Sequence, residues 1–427
     1  MQILTFMKTI PRNITPRLID ALKVSPVVFL NGARQSGKST LVQSILYEIG
    51  SKKNPAKYIS FDSPMNIAAA SAAPEAFLTA YEYNLIIDEV QLAPEIFRAL
   101  KIVVDDLRMK SKSKANANGK YLLTGSANIL ALPKLSDPLV GRMSVLTLYP
   151  FCAAEASGGK GDGLDRMLNM DFSGIHNRGL GVNDAMKLAT FPEISGKNIK
   201  ERGIWFDGYI TTILQRDVRM LAELEKIYIL PNLLRILATR AGSLINDSDI
   251  SRDMGINSVT GKFYRNILKM MFLNFDVQPW FRNIGKRMVK APKGYLTDSL
   301  LLCHLLDLNP DDIQKNKPDL FGHVLENFVA TELTKLLTFS KTKAQLLHFR
   351  TSDGKEVDFV LEKPDGSIFG IEVKKSESVN IHDFKGINCL AELAGKDFRG
   401  GVILYSGKEA VPFGKNLWAV PFYVLWQ

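Results

Sequence analysis

The sequence predicts an α/β fold, a parallel sheet with helices on both faces, continued by further domains. Two patterns carry that expectation. Short apolar runs at 27–30, 84–87 and 121–124 alternate with stretches whose apolar residues recur at helical spacing, 40–49 and 94–108. The order therefore reads strand, helix, strand, helix, strand, which gives a parallel sheet with ligands at the carboxyl ends of its strands. A glycine-bounded loop also sits where the first strand gives way to the first helix. At 427 residues the chain exceeds one ordinary core, and roughly 150 residues per domain allows two to four domains.

The loop is Gly32-Ala33-Arg34-Gln35-Ser36-Gly37-Lys38-Ser39, which matches G-x-x-x-x-G-K-[ST]. Glycines let the backbone wind until successive N–H groups point inward at phosphate oxygens, and the helix start adds partial positive charge. The run reads as a phosphate-binding loop for ATP, with Gly32, Ala33, Arg34, Gln35, Ser36, Gly37, Lys38, Ser39 and Thr40 around the nucleotide. Lys38 would reach the β- and γ-phosphates, and Ser39 would put its hydroxyl on Mg²⁺. The helix expected at 40–49 carries Leu41, Val42, Ile45, Leu46 and Ile49 as its apolar stripe.

About fifty residues on, the apolar run at 84–87 ends in Asp88-Glu89. Metal coordination and water activation are needed side by side in phosphoryl transfer: Asp88 would hold the metal through its water shell, and Glu89 would orient and deprotonate the attacking water. The next strand ends in Thr124-Gly125-Ser126-Ala127-Asn128, whose hydroxyl and amide groups suit contact with the γ-phosphate or the lytic water, and Ser126 is the candidate. Residues 110–120 form a polar loop. Arg142, after Leu139-Val140-Gly141, could neutralise transition-state charge on its own nucleotide or on a neighbour's, which would require a homo-oligomer; a solvated surface arginine is the equal alternative.

The formal charge of +10 and pI near 9.2 favour a polyanionic partner such as nucleic acid. No apolar stretch approaches the ~20 residues of a membrane span, and the first sixteen residues lack the order of a signal peptide, so the expectation is a cytoplasmic protein without membrane contact. Cys152, Cys303 and Cys389 are too scattered for a disulfide framework, and the five histidines lack ligand spacing.

The motifs GARQSGKSTL, IIDEVQ, LLTGSAN and LVGRMSVLTLYPF, followed in order by TFPEI, RDVRML, KRMVKAPKGYLTD, EVDFVLE and IEVKKS, resemble the bacterial and archaeal AAA-superfamily ATPases that carry a C-terminal domain of unknown function. The resemblance spans nearly the whole chain. It implies an AAA-type ATPase core, a winged-helix middle domain and an α/β C-terminal domain similar to PD-(D/E)xK nucleases.

Residues read directly agree with that layout. Glycines at 158–163 mark a flexible lid or linker. Residues 249–255 and 258–272 read as two helices joined by a tight turn, the second carrying Lys262, Arg265 and Lys269, and 281–293 follows as a basic wing with Arg282, Lys286, Arg287, Lys290 and Lys293. Such bases would hold DNA phosphates without reading sequence. In the C-terminal third, Glu326 lies on an amphipathic helix, Asp358 on an alternating strand, and Glu372 and Lys374 on one face of the next strand, since side chains alternate with period two. Glu326, Asp358 and Glu372 could bind Mg²⁺, with Lys374 holding hydroxide or phosphate charge. The expected domains are the ATPase (1–151), linker or lid helices (152–215), the winged helix (216–300) and the nuclease-like domain (301–427). The expected activity is ATP hydrolysis coupled to DNA, with metal-dependent nuclease activity open to the last domain; the alternative is a nucleotide-dependent scaffold or switch whose nuclease-like domain recruits a partner without cutting.

Overall fold

Val27–Asn31 (β1) is buried along its whole length because it lies inside a five-stranded sheet with Lys57–Ser60 (β2), Leu85–Asp88 (β3), Tyr121–Gly125 (β4) and Met143–Thr147 (β5). The computed structural model describes residues 9–50, 56–81, 84–110, 117–127, 139–177, 179–221, 227–283, 285 and 290–427. The strand order is β2-β3-β4-β1-β5, and every pairing is parallel. Strands covered on both faces read as continuous apolar runs, which is how Val-Val-Phe-Leu, Leu-Ile-Ile and Tyr-Leu-Leu read. One consequence of the order decides the site: β4 lies between β1 and β3, so its carboxyl end emerges between the loop after β1 and the acid pair after β3.

The helix expected at 40–49 is two pieces, Lys38–Ser44 (α1) and Leu46–Ile49, interrupted at Ile45 with φ −109° and ψ 15°. Ile96–Lys110 (α2) buries Ile96, Phe97, Leu100, Val103 and Val104, the i, i+3, i+4 stripe that made it legible. Phe97 meets Phe29 of β1 edge to face, ring centres 6.3 Å apart. These elements belong to one compact unit, 12–150 with 270–272; the remaining described residues form the other.

The second unit is built on an eight-stranded sheet of Asn274–Pro279 (β6), Lys293–Leu296 (β7), Gln345–Arg350 (β8), Glu356–Glu362 (β9), Ile368–Lys374 (β10), Phe398–Tyr405 (β11), Val411–Gly414 (β12) and Leu417–Pro421 (β13), in the order β12-β13-β11-β10-β9-β8-β6-β7. Its helices include Ile199–Thr212 (α3), Leu230–Thr239 (α4), Asp247–Asp253 (α5), Ser258–Met270 (α6), Ser299–Leu305 (α7), Pro318–Leu337 (α8) and Lys385–Ala394 (α9). The β9 and β10 strands pair antiparallel, as the Pro364-Asp365-Gly366 turn demands, and β10 pairs parallel with β11 across α9. The helices α5 and α6 run into the antiparallel β6–β7 pair, and β6 pairs parallel with β8, so helix pair and hairpin are continuous with the sheet.

The glycine cluster at 158–163 is packed, contrary to the flexible lid or linker expected there. A Cβ on Gly163 would stand 2.0 Å from the Val424 carbonyl oxygen, and one on Gly159 would stand 2.4 Å from that of Trp426. Glycine is required there for close approach of the terminal segment Phe422–Trp426, which is fully buried. On α8, Lys335 Nζ donates to Glu332 Oε1 (3.0 Å) and to the carbonyls of Phe151 (2.9 Å) and Ala189 (3.0 Å), while Glu332 accepts from the Ala153 N–H (2.7 Å). This buried pair pins 151–189 to α8. Among the described residues no helix is long and apolar enough to cross a membrane.

Candidate nucleotide site and a carboxylate cluster

The loop after β1 winds as its glycines permit. Gly32 has φ +150°, and a Cβ there would lie 2.1 Å from the Leu148 carbonyl oxygen, so only glycine lets the loop pass the chain leaving β5. Gly37 caps α1 in the left-handed region, at φ 94°. Lys38, almost fully buried, donates from Nζ to the carbonyls of Gly32 (3.0 Å) and Ala33 (2.8 Å), bending its ammonium back over the loop where phosphates would lie. Arg12 braces the loop, donating to the Ser36 carbonyl (2.8 Å) and the Tyr149 carbonyl (2.6 Å). Arg12 was not singled out in sequence, since it lies twenty residues upstream of the motif.

Asp88, at the end of β3, is buried and accepts hydrogen bonds on both oxygens, from Thr124 Oγ1 and from the Tyr58 hydroxyl. Burial, and then the bond to Asp88, push the Tyr58 phenol up to about 12. Glu89 follows in the left-handed region at φ 57°, and its N–H donates to Thr124 Oγ1 (3.3 Å). A non-glycine residue there costs roughly 1–3 kcal/mol of strain, which the surroundings must hold. Gln91 does so by donating from Nε2 to both Glu89 Oε2 and Ser126 Oγ (3.0 Å). Lys38, Ser39, Asp88, Glu89 and Ser126 thus gather at one edge of the sheet, joined by Tyr58, Gln91 and Thr124, which carried no motif signal. Asn128 lies outside the described residues.

Arg142 does not join them. Met143 pairs with Val27 and Thr147 with Asn31, so Arg142 precedes β5 at the amino edge of the sheet, opposite the loop. At ~3.3 Å per residue, the five-residue strand separates the two by roughly 16 Å or more. Its guanidinium forks onto Asp105, Nε to Oδ1 at 2.7 Å and Nη2 to Oδ2 at 2.8 Å, and this bond holds the Asp105 carboxyl below its usual range. The expectation that Arg142 acts on its own nucleotide is corrected: it is a half-exposed ion-pair residue. Arg142→Ala is expected to leave the turnover of ATP per chain within twofold of the parent and to cost at most about 1 kcal/mol of stability, as partly exposed pairs do. Steady-state phosphate release and thermal melts check both.

In the second unit, Glu326 of α8, Asp358 of β9 and Glu372 with Lys374 of β10 line one cavity of about 420 Å³. Lys293 of β7 reaches into the same cluster. Its buried Nζ lies 3.0 Å from Glu326 Oε1 and 3.5 Å from Asp358 Oδ1, and it also pairs with Glu356. Burial pulls this ammonium down, but Asp358, Glu326 and Glu356 outweigh it and leave it raised. The Tyr295 hydroxyl donates to Glu326 Oε1 (2.7 Å), the Val373 N–H to Asp358 Oδ2 (2.9 Å), and Lys374 Nζ to Glu372 Oε1 (3.2 Å). Burial, then repulsion from Asp358, pushes Glu326 up to about 7 and raises Glu372 as well. Among the described residues no group of three or more His, Cys, Asp and Glu side chains could hold a metal ion. Lys293 Nζ thus occupies oxygens of Glu326 and Asp358 that the Mg²⁺ expected on Glu326, Asp358 and Glu372 would need.

The basic residues expected to face DNA also divide. Arg265 is buried, bonded to Asp247 (2.7 Å) and to both oxygens of Asp276 (2.9 Å), and Lys269 joins Asp276 at 2.8 Å. With Lys293 likewise committed, three of the expected phosphate contacts are internal. Lys262, Arg282 and Lys290 are exposed, and Lys286 and Arg287 lie outside the described residues.

Comparisons with known proteins bear on these sites. A family model described as an AAA domain matches residues 24–157, and two domains of unknown function, DUF8612 and DUF4143, match 182–312 and 321–425. An uncharacterized protein of Mycobacterium tuberculosis is 27% identical over 414 residues, covering 96% of this chain and 83% of its own. One of Haemophilus influenzae is 21% identical over 388 residues, covering 87% and 88%. Among solved structures, a Walker-type ATPase of Pyrococcus abyssi aligns with 70% of this chain and 96% of its own at 15% identity and a TM-score of 0.44. The AMPPCP-bound DnaA of Aquifex aeolicus aligns with 60% and 86% at 14% identity and a TM-score of 0.29. Residues 24–157 thus match an AAA domain, and the strand order, the wound loop and the acid pair beside it are those of a P-loop fold.

Proposed function

We propose that this chain is an ATP-hydrolysing AAA-type machine that engages DNA through its middle segment. The observation that carries the reading is the convergence of Lys38 and Ser39, after β1, with Asp88, Glu89 and Ser126, after β3 and β4, at a single sheet edge. Ser39 and Asp88 offer the hard oxygen donors Mg²⁺ prefers, and two carboxylate or hydroxyl ligands plus substrate phosphates suffice for it. The ion would supply charge neutralisation on the phosphates. Lys38 would exchange its two loop carbonyls for phosphate oxygens, and Glu89 would take the proton of the attacking water while Gln91 and Ser126 keep its carboxylate in place.

The order α4, α5, α6 and the β6–β7 hairpin supports a winged helix at 216–300. Among the described residues of the expected set, Lys262, Arg282 and Lys290 are exposed to meet phosphates. Binding of a duplex by these three would be sequence-blind and steeply salt-dependent. The triple variant Lys262→Ala, Arg282→Ala, Lys290→Ala is expected to weaken duplex binding at least tenfold and to flatten its salt slope, measured by fluorescence anisotropy between 50 and 200 mM salt. Unchanged affinity would end the DNA reading while leaving the ATPase reading intact, which an ATPase assay of Lys38→Ala tests separately.

The C-terminal sequence of helix with Glu326, strand with Asp358, and strand with Glu372 and Lys374 supports a PD-(D/E)xK nuclease-like fold. A second reading of that domain, a scaffold that does not cut, is favoured by Lys293. Its ammonium pairs with Glu326, Glu356 and Asp358 and so competes with a divalent cation for their oxygens, and no cleavage step is derived through one.

A further inference from the structure

Arg202 is 4% exposed, and its Nη1 has no hydrogen-bond partner. A guanidinium is never neutral in a protein, and a buried charge without a partner costs several kcal/mol. The charges of Asp311 and Asp298 offset that cost only through space. Asp311 pairs with Lys187 (2.5 Å), and Asp298 accepts on Oδ1 from the N–H groups of Leu300 and Leu301 at the start of α7 (2.9 Å each), its Oδ2 being without a hydrogen bond like Arg202 Nη1. Neither reaches Arg202 with a hydrogen bond.

The side chain lines a cavity of about 250 Å³ between α3, α7 and the loop at 307–310. Its apolar wall is Ile199, Phe206, Leu300 and Leu308, beside the polar groups of His304, Asp307 and Asn309. His304 stacks on Phe206 with ring centres 5.4 Å apart, and its Nε2 is held by Asp207 at 3.0 Å. No lysine or second arginine lines the space, and Asp307 brings a negative charge to it. This lies far in sequence from the nucleotide loop and shares no residue with the carboxylate cluster.

We propose that this cavity is a binding site for a small organic monocarboxylate whose carboxyl group pairs with Arg202 and whose apolar body fills the space beside Phe206. The planar fork of a guanidinium matches a carboxylate bidentately. A phosphate dianion would need more positive charge than one guanidinium beside an aspartate provides. The volume falls below the roughly 300–1,000 Å³ of drug-sized sites, so the occupant is metabolite-sized.

The test is a thermal-shift and calorimetric titration of the full chain with acetate, butyrate and benzoate, against benzamide and inorganic phosphate as controls. Butyrate or benzoate is expected to raise Tm by about 1–2 °C at tenfold excess over its Kd, with neither control doing so. Arg202→Met keeps the apolar stem and removes the charge, so the variant is expected to melt no lower than the parent without ligand and to lose the carboxylate shift. A variant that melts several degrees lower would mean that Arg202 is bonded within the fold, and the proposal fails. It fails equally if no carboxylate shifts the wild type, if phosphate or benzamide shifts it as far as benzoate does, or if Arg202→Met retains the shift.

Discussion

Glu89→Gln is expected to cut ATP turnover by at least ~100-fold while ATP still binds, because removing a positioned general base typically costs 10²–10⁴ in rate. The substitution preserves size and the hydrogen bond from Gln91, and glutamine accepts the left-handed conformation of residue 89 no less well than glutamate. What it removes is the basic oxygen. Lys38→Ala should act differently, since Lys38 would touch phosphates in the ground state as well as in the transition state: its loss is expected to weaken nucleotide binding and to lower turnover together. A fluorescent-nucleotide titration beside a phosphate-release assay separates the two. Turnover near the parental rate in both variants would overturn the assignment of the hydrolytic set. Thr124→Val is the sharper companion, because Thr124 both donates to Asp88 and accepts from the Glu89 N–H. Its loss removes one tie from each acid and leaves those from Tyr58 and Gln91, and turnover is expected to fall without loss of binding.

The parallel sheet and its site were legible because local signals and tertiary demands coincide there. A loop that must wind around phosphates needs glycines at fixed spacing, and a strand buried on both faces needs an unbroken apolar run, so Gly32, Gly37 and the residues before Asp88 announce themselves. Tyr58 does not, because it lies in the short edge strand β2 and matters only through the register that sets β2 beside β3. The misreadings share a cause. Arg265, Lys269 and Lys293 were read as charges free to meet an anion from outside, and Arg142 as one that could, yet each is bonded to a carboxylate on another element: Asp105, Asp276 or the Glu326 group. A one-dimensional charge pattern gives the sign of a side chain and not its partner. The glycines at 158–163 misled in the same way: their spacing suggests freedom, but their need is proximity to a terminal segment some 260 residues away.

The lysine among the carboxylates predicts how the C-terminal site meets divalent cations. Lys293 Nζ and a metal ion would compete for the same oxygens of Glu326 and Asp358, so wild-type protein is expected to bind Mn²⁺ at that site only weakly, in the millimolar range or above. Lys293→Met keeps the stem and removes the charge, leaving Glu326, Glu356 and Asp358 without their shared cation. Removing one partner of a buried ion pair typically costs ~3–5 kcal/mol, the lower end applying here because the cavity admits solvent. The variant should therefore melt lower than the parent, and Mn²⁺ should restore much of the loss by binding at least tenfold more tightly than to wild type. Electron paramagnetic resonance of free Mn²⁺ measures the affinities directly, and melts with and without the ion read the coupling. Tight Mn²⁺ binding by the wild type that disappears in Asp358→Asn would reverse the conclusion, making Lys293 a companion of the metal and reopening the nuclease reading. If Lys293→Met gains metal, the same variant incubated with plasmid DNA and Mn²⁺ tests whether Glu372 and Lys374 retain what cleavage requires, since neither bonds to Lys293.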